Sequence, residues 1–462
     1  MVANDMRGKT LQDFETICRQ LDPYLDDSLA NVLRGSRGDG FPSEVNYRYT
    51  VKTLLCLSAF MYIRQGFRDE ARPGQHVTPF PALLLAELSG SAVSPQDADA
   101  LHRLCEKVIT AFGQCHETSL PNHAAARLVL DVLQERAIAR GQALSVPLLP
   151  SGVARLMLGL ARVTPKERVL DLCPGLGILP AEALLTSKKE PAQPCVMAGV
   201  FAKQLLQLCA LPSDRFLPRS DTPEAEAPPV MEADVACSMG AALSAGDSGL
   251  KEEQRLLLRH LAHLAPQHGR GVLLASPSLL FRQGEASDLR TAILKHNLLD
   301  AVLLLPGNAF YGSNAQFALL VFDRGREANG PRSGKNDVFM LDLAAFADSE
   351  TQDGFWQQSK NLNYFETQHI RRICDLMQQR EEQPGISCHT PCDRLLAENV
   401  WLPSRFLHNA ASYNWRAERC EYQNLESSLS AISRRLTSLL DSLEHDFLKI
   451  GEQRKRDDDA AS

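Results

Sequence analysis

The spacing of apolar positions changes twice along the chain. Through the first 140 or so residues they recur at helical intervals. "YTVKTLLCLSAFMYI" (49–63) reads as an apolar helix core, closed by the Gly/Pro/charge break "GFRDEARPGQH". Further helix-period segments follow at 82–89, 98–114 and 122–140. From about 143, short leucine-rich or β-branched runs alternate with helices. Strands are predicted at Val169–Leu172, Cys195–Val200, Ala233–Ser238, Gly271–Ser276, Leu299–Leu305 and Phe317–Asp323. Helices are predicted at 151–162, 179–186, 251–265 and 285–297. This alternation predicts an α/β domain on a parallel sheet. Near the end the period changes again. Leu425, Leu429, Ile432, Leu436, Leu439, Leu443 and Ile450 follow four–three spacing, with Phe447 close to register. That is a heptad seam, to be covered by a partner helix or by the chain's own domain, and a polar tail "GEQRKRDDDAAS" follows it.

Loops are expected where proline, glycine and charge collect, at 211–234 and 325–337. The bulk composition narrows the function classes only slightly. With 44% hydrophobic and 23% charged residues the chain reads as an ordinary soluble protein of 462 residues. A net charge of −7 argues against a free-standing nucleic-acid binder, though not against a subunit that leaves most of the contact to a partner. Twelve cysteines follow no disulfide framework, the first residues are polar, and no apolar run approaches the ~18 residues of a membrane helix. The expectation is a cytoplasmic protein with reduced thiols and no membrane contact. Cys388-His389-x-x-Cys392 has metal-ligand residue types, but no second pair lies at a fitting spacing. It is read as part of a loop, and no metal is expected.

The most suggestive short stretch is "VLDLCPGLGILPAEALL" (169–185). A strand ending in Asp171 runs into a turn holding Gly175 and Gly177, and a helix follows. Glycines at such a junction let backbone approach a bound cofactor closely. Pro180 fits the first turn of the helix, where its missing N–H costs nothing.

Residues 271–323 carry a far more specific pattern. In order they show Pro277, Leu280-Phe281, Gly284, Arg290, Asn297 to Val302, Leu305-Pro306, Phe310-Tyr311-Gly312 and a final strand Phe317 to Asp323. This series resembles the second half of the catalytic domain in modification (M) subunits of type I restriction–modification systems, a family of adenine-specific N6 DNA methyltransferases. The resemblance extends to "SVPLLPSGVARLMLGL" (145–160), to "KNLNYFETQHIRRICDLM" (360–377) with Asn363 and His369, and to "NVWLPSRFL" (399–407). It covers roughly residues 45–450.

The resemblance implies an architecture and a ligand. The architecture is a helical N-terminal domain (1–142), a Rossmann-like S-adenosylmethionine-dependent methyltransferase domain (143–345), a helical C-terminal extension (346–420), and a heptad helix with a disordered polar tail (421–462). The ligand is S-adenosylmethionine, with Asp171, Gly175 and Gly177 at the positions that match the family's cofactor turn. Three departures stand against it. Leu172, Cys173, Pro174 and Ile178 replace the family's Pro, Ala, Cys and last Gly, and Ile178 puts a branched side chain where helix and ligand meet. Phe201 stands where the family has an acid for the ribose hydroxyls. With Asp234 in register, Met239, Gly240, Ala241 and Ala242 stand in place of Asn-Pro-Pro-Phe/Tyr, the residues that grip a flipped adenine.

The expectation is therefore a catalytically impaired homologue, a pseudoenzyme with S-adenosylmethionine binding weak or lost. It would serve as a structural or regulatory subunit of a DNA modification or defence complex. The family implies a DNA-specificity subunit gripped through the C-terminal helices, a second M-type subunit, and DNA reached through the complex. An active N6-adenine methyltransferase with a divergent site is the alternative, and a small-molecule methyltransferase a third.

Overall fold

The computed structural model describes residue 16, residues 53–54, 56–58, 60–61, 121–140, 148–186, 192–197, 199–217, 232–239, 246–310, 314–344, 354–358 and 362–407. The segments predicted at 82–89, 98–114 and the heptad run 425–450 lie outside them. Of 49–63, the described residues are helical, and Leu54, Cys56, Leu57 and Met61 are fully buried.

Eight strands form one sheet: β1 (Arg168–Asp171), β2 (Gln193–Val196), β3 (Val235–Ser238), β4 (Arg270–Ala275), β5 (Leu299–Leu304), β6 (Ala318–Asp323), β7 (Asp337–Asp342) and β8 (Ser387–Pro391). Their order is β2-β1-β3-β4-β6-β5-β7-β8. The pairings among β2, β1, β3 and β4 are parallel, as is that of β5 with β7. β6 runs antiparallel to both its neighbours, and β8 antiparallel to β7.

Helices α1 (Asn122–Arg140), α2 (Ser151–Leu160), α3 (Ile178–Thr186), α4 (Val200–Leu208) and α8 (Thr367–Gln379) contribute buried side chains to one core. Helices α5 (Gly246–His263), α6 (Pro277–Phe281), α7 (Glu285–Lys295) and α9 (Cys392–Glu398) contribute to a second. The strands explain why there are two. In β4, Val272 and Leu274 join the first core while Leu273 and Ala275 join the second. In β5, Ala301 and Leu303 face one way, Val302 and Leu304 the other. A strand with period-two side chains that are all apolar is covered on both faces, so the domain is a three-layer α/β sandwich.

Three expectations need correction here. The sheet is mixed rather than parallel, since β6 and β8 run antiparallel to their neighbours. The stretch 346–420 is not purely helical, because Ser387–Pro391 forms the edge strand β8. Cys388 and His389 therefore sit on a strand rather than in a loop, and Cys392 opens α9. His389 Nδ1 bonds Asp337 on the neighbouring strand, and its Nε2 lies 3.1 Å from the Arg380 carbonyl. No group of His, Cys, Asp or Glu among the described residues could hold a metal ion. The pattern gives no sign of β8 because "SCHTP" has neither apolar alternation nor β-branched density.

Candidate functional site

The chain leaves β1 towards one edge of the sheet and returns to lay β3 on its other side. In such sheets ligands bind at the carboxyl ends of the strands where the order reverses. Asp171 closes β1 there, and Ser238 closes β3.

Leu172 to Leu176 form the turn, closed by Gly177 N–H donating to the Pro174 carbonyl at 2.8 Å. Gly175 (φ 55°) and Gly177 (φ 82°) both take the left-handed conformation that side chains oppose. They differ in setting. Gly175 is exposed. Gly177 is buried against α4, where a Cβ would lie 3.1 Å from that of Ala202. Gly175 leaves backbone open to a ligand, whereas Gly177 lets helix and turn pack.

Asp171 is 1% exposed. Its Oδ1 accepts from the Cys173 N–H (3.0 Å) and from the Ser238 hydroxyl (2.9 Å), while Oδ2 has no partner. Burial pushes its pKa up to about 7, opposed by those two hydrogen bonds. The carboxyl thus ties β1 to β3 across the switch point and keeps one oxygen in reserve.

Sequence reasoning missed His260. It projects from α5, is 1% exposed, and accepts the Leu172 N–H on Nε2 at 3.1 Å. Its Nδ1 lies 2.6 Å from the Leu256 carbonyl, so that nitrogen donates and the imidazole is neutral. Burial lowers its pKa to about 4. A lone histidine in an amphipathic helix gives no signal of this role. Glu253, on the same helix and also buried, accepts from the N–H and the hydroxyl of Ser276, both at 2.6 Å. Burial raises its pKa. The turn after β1 and the end of β4 are thereby both fastened to α5.

The departures read from the sequence fall out unevenly. Met239, directly after β3, is 4% exposed, and Gly240, Ala241 and Ala242 lie outside the described residues. Phe201 does not sit at a strand end. β2 stops at Val196, Met197 N–H donates to the Asp171 carbonyl at 3.3 Å, and Phe201 lies in the first turn of α4, 2% exposed in the core. The sequence from Met197 to Phe201 contains no acid. Ile178 is also corrected: it is 1% exposed and belongs to the core around α3, so it does not crowd a ligand.

The family-like residues of the second half hold the fold. Arg290 is 0% exposed. It donates to the carbonyls of Leu279 (2.8 Å), Arg282 (2.9 Å) and Asn399 (2.8 Å) and to Asn399 Oδ1 (3.0 Å). No carboxylate offsets its charge in those bonds, and burial lowers its pKa to about 10. Asn297 (φ 52°) donates to the carbonyls of Arg326 and Lys335, both at 2.8 Å. Asn363 donates to the Gly307 carbonyl (2.7 Å), and His369 completes the capping box of α8 with Glu366. Phe310 stacks edge-on against Phe317 at 4.9 Å.

Residues 249–406 match the family model described as N-6 DNA Methylase. The methylase subunit of the type I restriction enzyme MpnII of Mycoplasma pneumoniae is 23% identical over 143 residues, covering 31% of this chain and 24% of that protein. The StySPI methylase subunit of Salmonella potsdam is 30% identical over 94 residues, 20% of this chain and 18% of that protein. The matched stretches span less than a quarter of either relative's own length. In fold, the chain is similar to the crystal structure of a type I restriction–modification methyltransferase subunit from Streptococcus thermophilus. The TM-score is 0.53 at 15% identity, over 85% of this chain and 100% of that one.

Proposed function

For this chain, a relative of the methylase subunits of type I restriction–modification systems, we propose a non-catalytic role. It is a structural or regulatory subunit of a DNA modification or defence complex. One observation carries the reading: the groups at the ends of β1 and β3 are turned inward. The Ser238 hydroxyl is bonded to Asp171, and the next side chain, Met239, is buried. An adenine methyltransferase needs acceptors there that face the exocyclic amine of an extruded base.

S-adenosylmethionine would supply an electrophilic methyl group if bound. The residues present fit it in part only. Gly175 leaves the turn open, and the unpartnered Asp171 Oδ2 could accept one bond. However, a carboxyl with its pKa near 7 is a weak counter-ion, and no acid follows β2 to hold the ribose. The set does not fit a working donor site, so no methyl-transfer step is assigned to it. The open turn and the free oxygen are what favour the alternative, an active N6-adenine methyltransferase with a divergent site.

Partners follow from the same reading: a DNA-specificity subunit held through the C-terminal helices, a second M-type subunit that supplies catalysis, and DNA contacted through the assembly. No described helix is long and apolar enough to cross a membrane, and a cytoplasmic location is part of the proposal. The test is methyl transfer from labelled S-adenosylmethionine to adenine in DNA by the full-length chain, alone and with a specificity subunit. The expected result is no incorporation under either condition. Incorporation that requires this chain's own cleft would reverse the reading.

A further inference from the structure

At the sheet end opposite the glycine turn, a cavity of about 370 Å³ opens between the C-terminus of α2, the first residues of β4 and β5, and the loop after β6. Five cationic side chains line it: Arg162, Arg270, Arg332, Lys335 and Arg380. The two carboxylates that line it, Asp300 and Asp323, are both occupied. Asp300 accepts from Arg326 and Arg380, each at 2.8 Å, and these guanidiniums hold its carboxyl below the usual range. Asp323 is gripped by Arg332 through two hydrogen bonds.

Around the rim, Arg270 pairs with Glu167 at 2.8 Å and also donates to the carbonyls of Ala161 and Arg162. It therefore covers the negative end of α2. Asp337 lies 3.9 Å from Arg380 and bonds His389. The nearest further acid on α8, Asp375, lines a neighbouring groove. Six cations thus meet four carboxylates. Arg162 and Lys335 have no acid partner among the described residues, and both are exposed.

We propose that this cavity binds a phosphate monoester or inorganic phosphate, as a dianion, between Arg162 and Lys335. Two uncompensated cations match two negative charges, whereas a backbone phosphodiester carries one. The volume accommodates the phosphate with a sugar-sized body attached. Arginine and lysine are the side chains that recognise such oxygens, the first by its fork and the second as a point charge. This site is separate from the glycine turn and stands whether or not the chain transfers methyl groups.

The test is calorimetry on the full-length chain, titrated with inorganic phosphate at constant ionic strength, with chloride as control. Saturable binding at one site is expected. Arg162→Asn keeps a residue that tolerates the left-handed backbone at this position (φ 52°). It and Lys335→Gln should each weaken binding about tenfold, with Lys335→Arg largely restoring it. No saturable heat, or an affinity unmoved by both variants, overturns the site. A competition arm distinguishes the sources. Displacement by a 5′-phosphorylated oligonucleotide but not by its dephosphorylated twin supports a nucleic-acid end. Displacement by neither supports free phosphate. Equal displacement by both overturns the preference for a monoester.

Discussion

The two halves of the sheet share one architecture and use their special residues in opposite ways. In β4 to β6 and the segments around them, several of the described residues that carry the family resemblance are spent on the fold itself. Arg290, Asn297 and Asn363 bond backbone carbonyls, and Phe310 packs on Phe317. Around β1 to β3, several positions that the resemblance reads as ligand-facing hold other residues, and Asp171, which matches, is turned into the fold. Asp171 takes its hydrogen bonds from Ser238 and Cys173, and the Leu172 N–H goes to His260. A buried polar group that loses its partner costs stability whether or not the protein still has a ligand. On the proposed non-catalytic role a ligand contact carries no such penalty, and matching residues in one half beside departures in the other would follow from that asymmetry.

The comparison breaks most sharply at Arg290. If its role is architectural, Arg290→Ala should destabilise the fold by about 3–5 kcal/mol, because four acceptors lose their donor and a cavity opens in the second core. Urea unfolding followed by circular dichroism would measure it. A loss within about 0.5 kcal/mol would place Arg290 with the ligand-facing residues instead.

How much of this was legible in the sequence follows the same division. Of the first six strands, five were readable, falling on predicted short apolar runs bounded by polar segments. By contrast, β2 (Gln193–Val196) shares only Cys195 and Val196 with the predicted Cys195–Val200, and β7 was not predicted. Helices 122–140, 151–160 and 285–295 emerged for the equivalent reason at helical period. The strand Ser387–Pro391 was not, since an edge strand holding Cys, His and Thr owes its place to pairing with β7. Asp171, Gly175 and Gly177 were singled out by motif. Their partners were not, because the Asp171–Ser238 and Leu172–His260 bonds join residues 67 and 88 positions apart. Phe201 was misplaced for a related reason. A run of small and apolar residues, Met197 to Phe201, does not reveal whether it ends a strand or opens a helix.

The next largest effect lies in the first half. Asp171 has a pKa near 7 when folded against 3.8 for a free aspartate side chain, so the folded state holds its proton more tightly. Its contribution is therefore favourable at low pH, and stability declines as pH rises from about 4 to about 7. The full penalty has a ceiling of about 4 kcal/mol. His260 moves the other way, its neutral-ring bonds being lost as pH falls towards 4. Asp171→Asn keeps an acceptor for Ser238 and Cys173 and removes the buried charge. We expect it to be more stable than the parent at pH 8, on the order of 2 kcal/mol, and to converge with it near pH 5. Thermal melts at the two pH values would decide. Equal melting temperatures at pH 8 would mean that the unpartnered oxygen is solvated and the turn is wetter than its burial implies.

The smallest effect is the sharpest probe of what the turn is for. Gly175 and Gly177 share a left-handed backbone, so alanine at either costs about 1 kcal/mol of conformational strain. At Gly177 the new methyl would also stand 3.1 Å from the Ala202 Cβ, and α4 would have to shift to admit it. Gly177→Ala should therefore lose about 2 kcal/mol in all, Gly175→Ala about half of that. Calorimetry with S-adenosylmethionine on the same pair extends the test from fold to ligand. If the turn is only a tight strand–helix connection, the stability order holds and neither variant alters a binding signal. If the exposed Gly175 still lets backbone meet a nucleoside, Gly175→Ala reduces that signal while costing no more than its about 1 kcal/mol of backbone strain. That outcome would return the first half of the sheet to ligand duty.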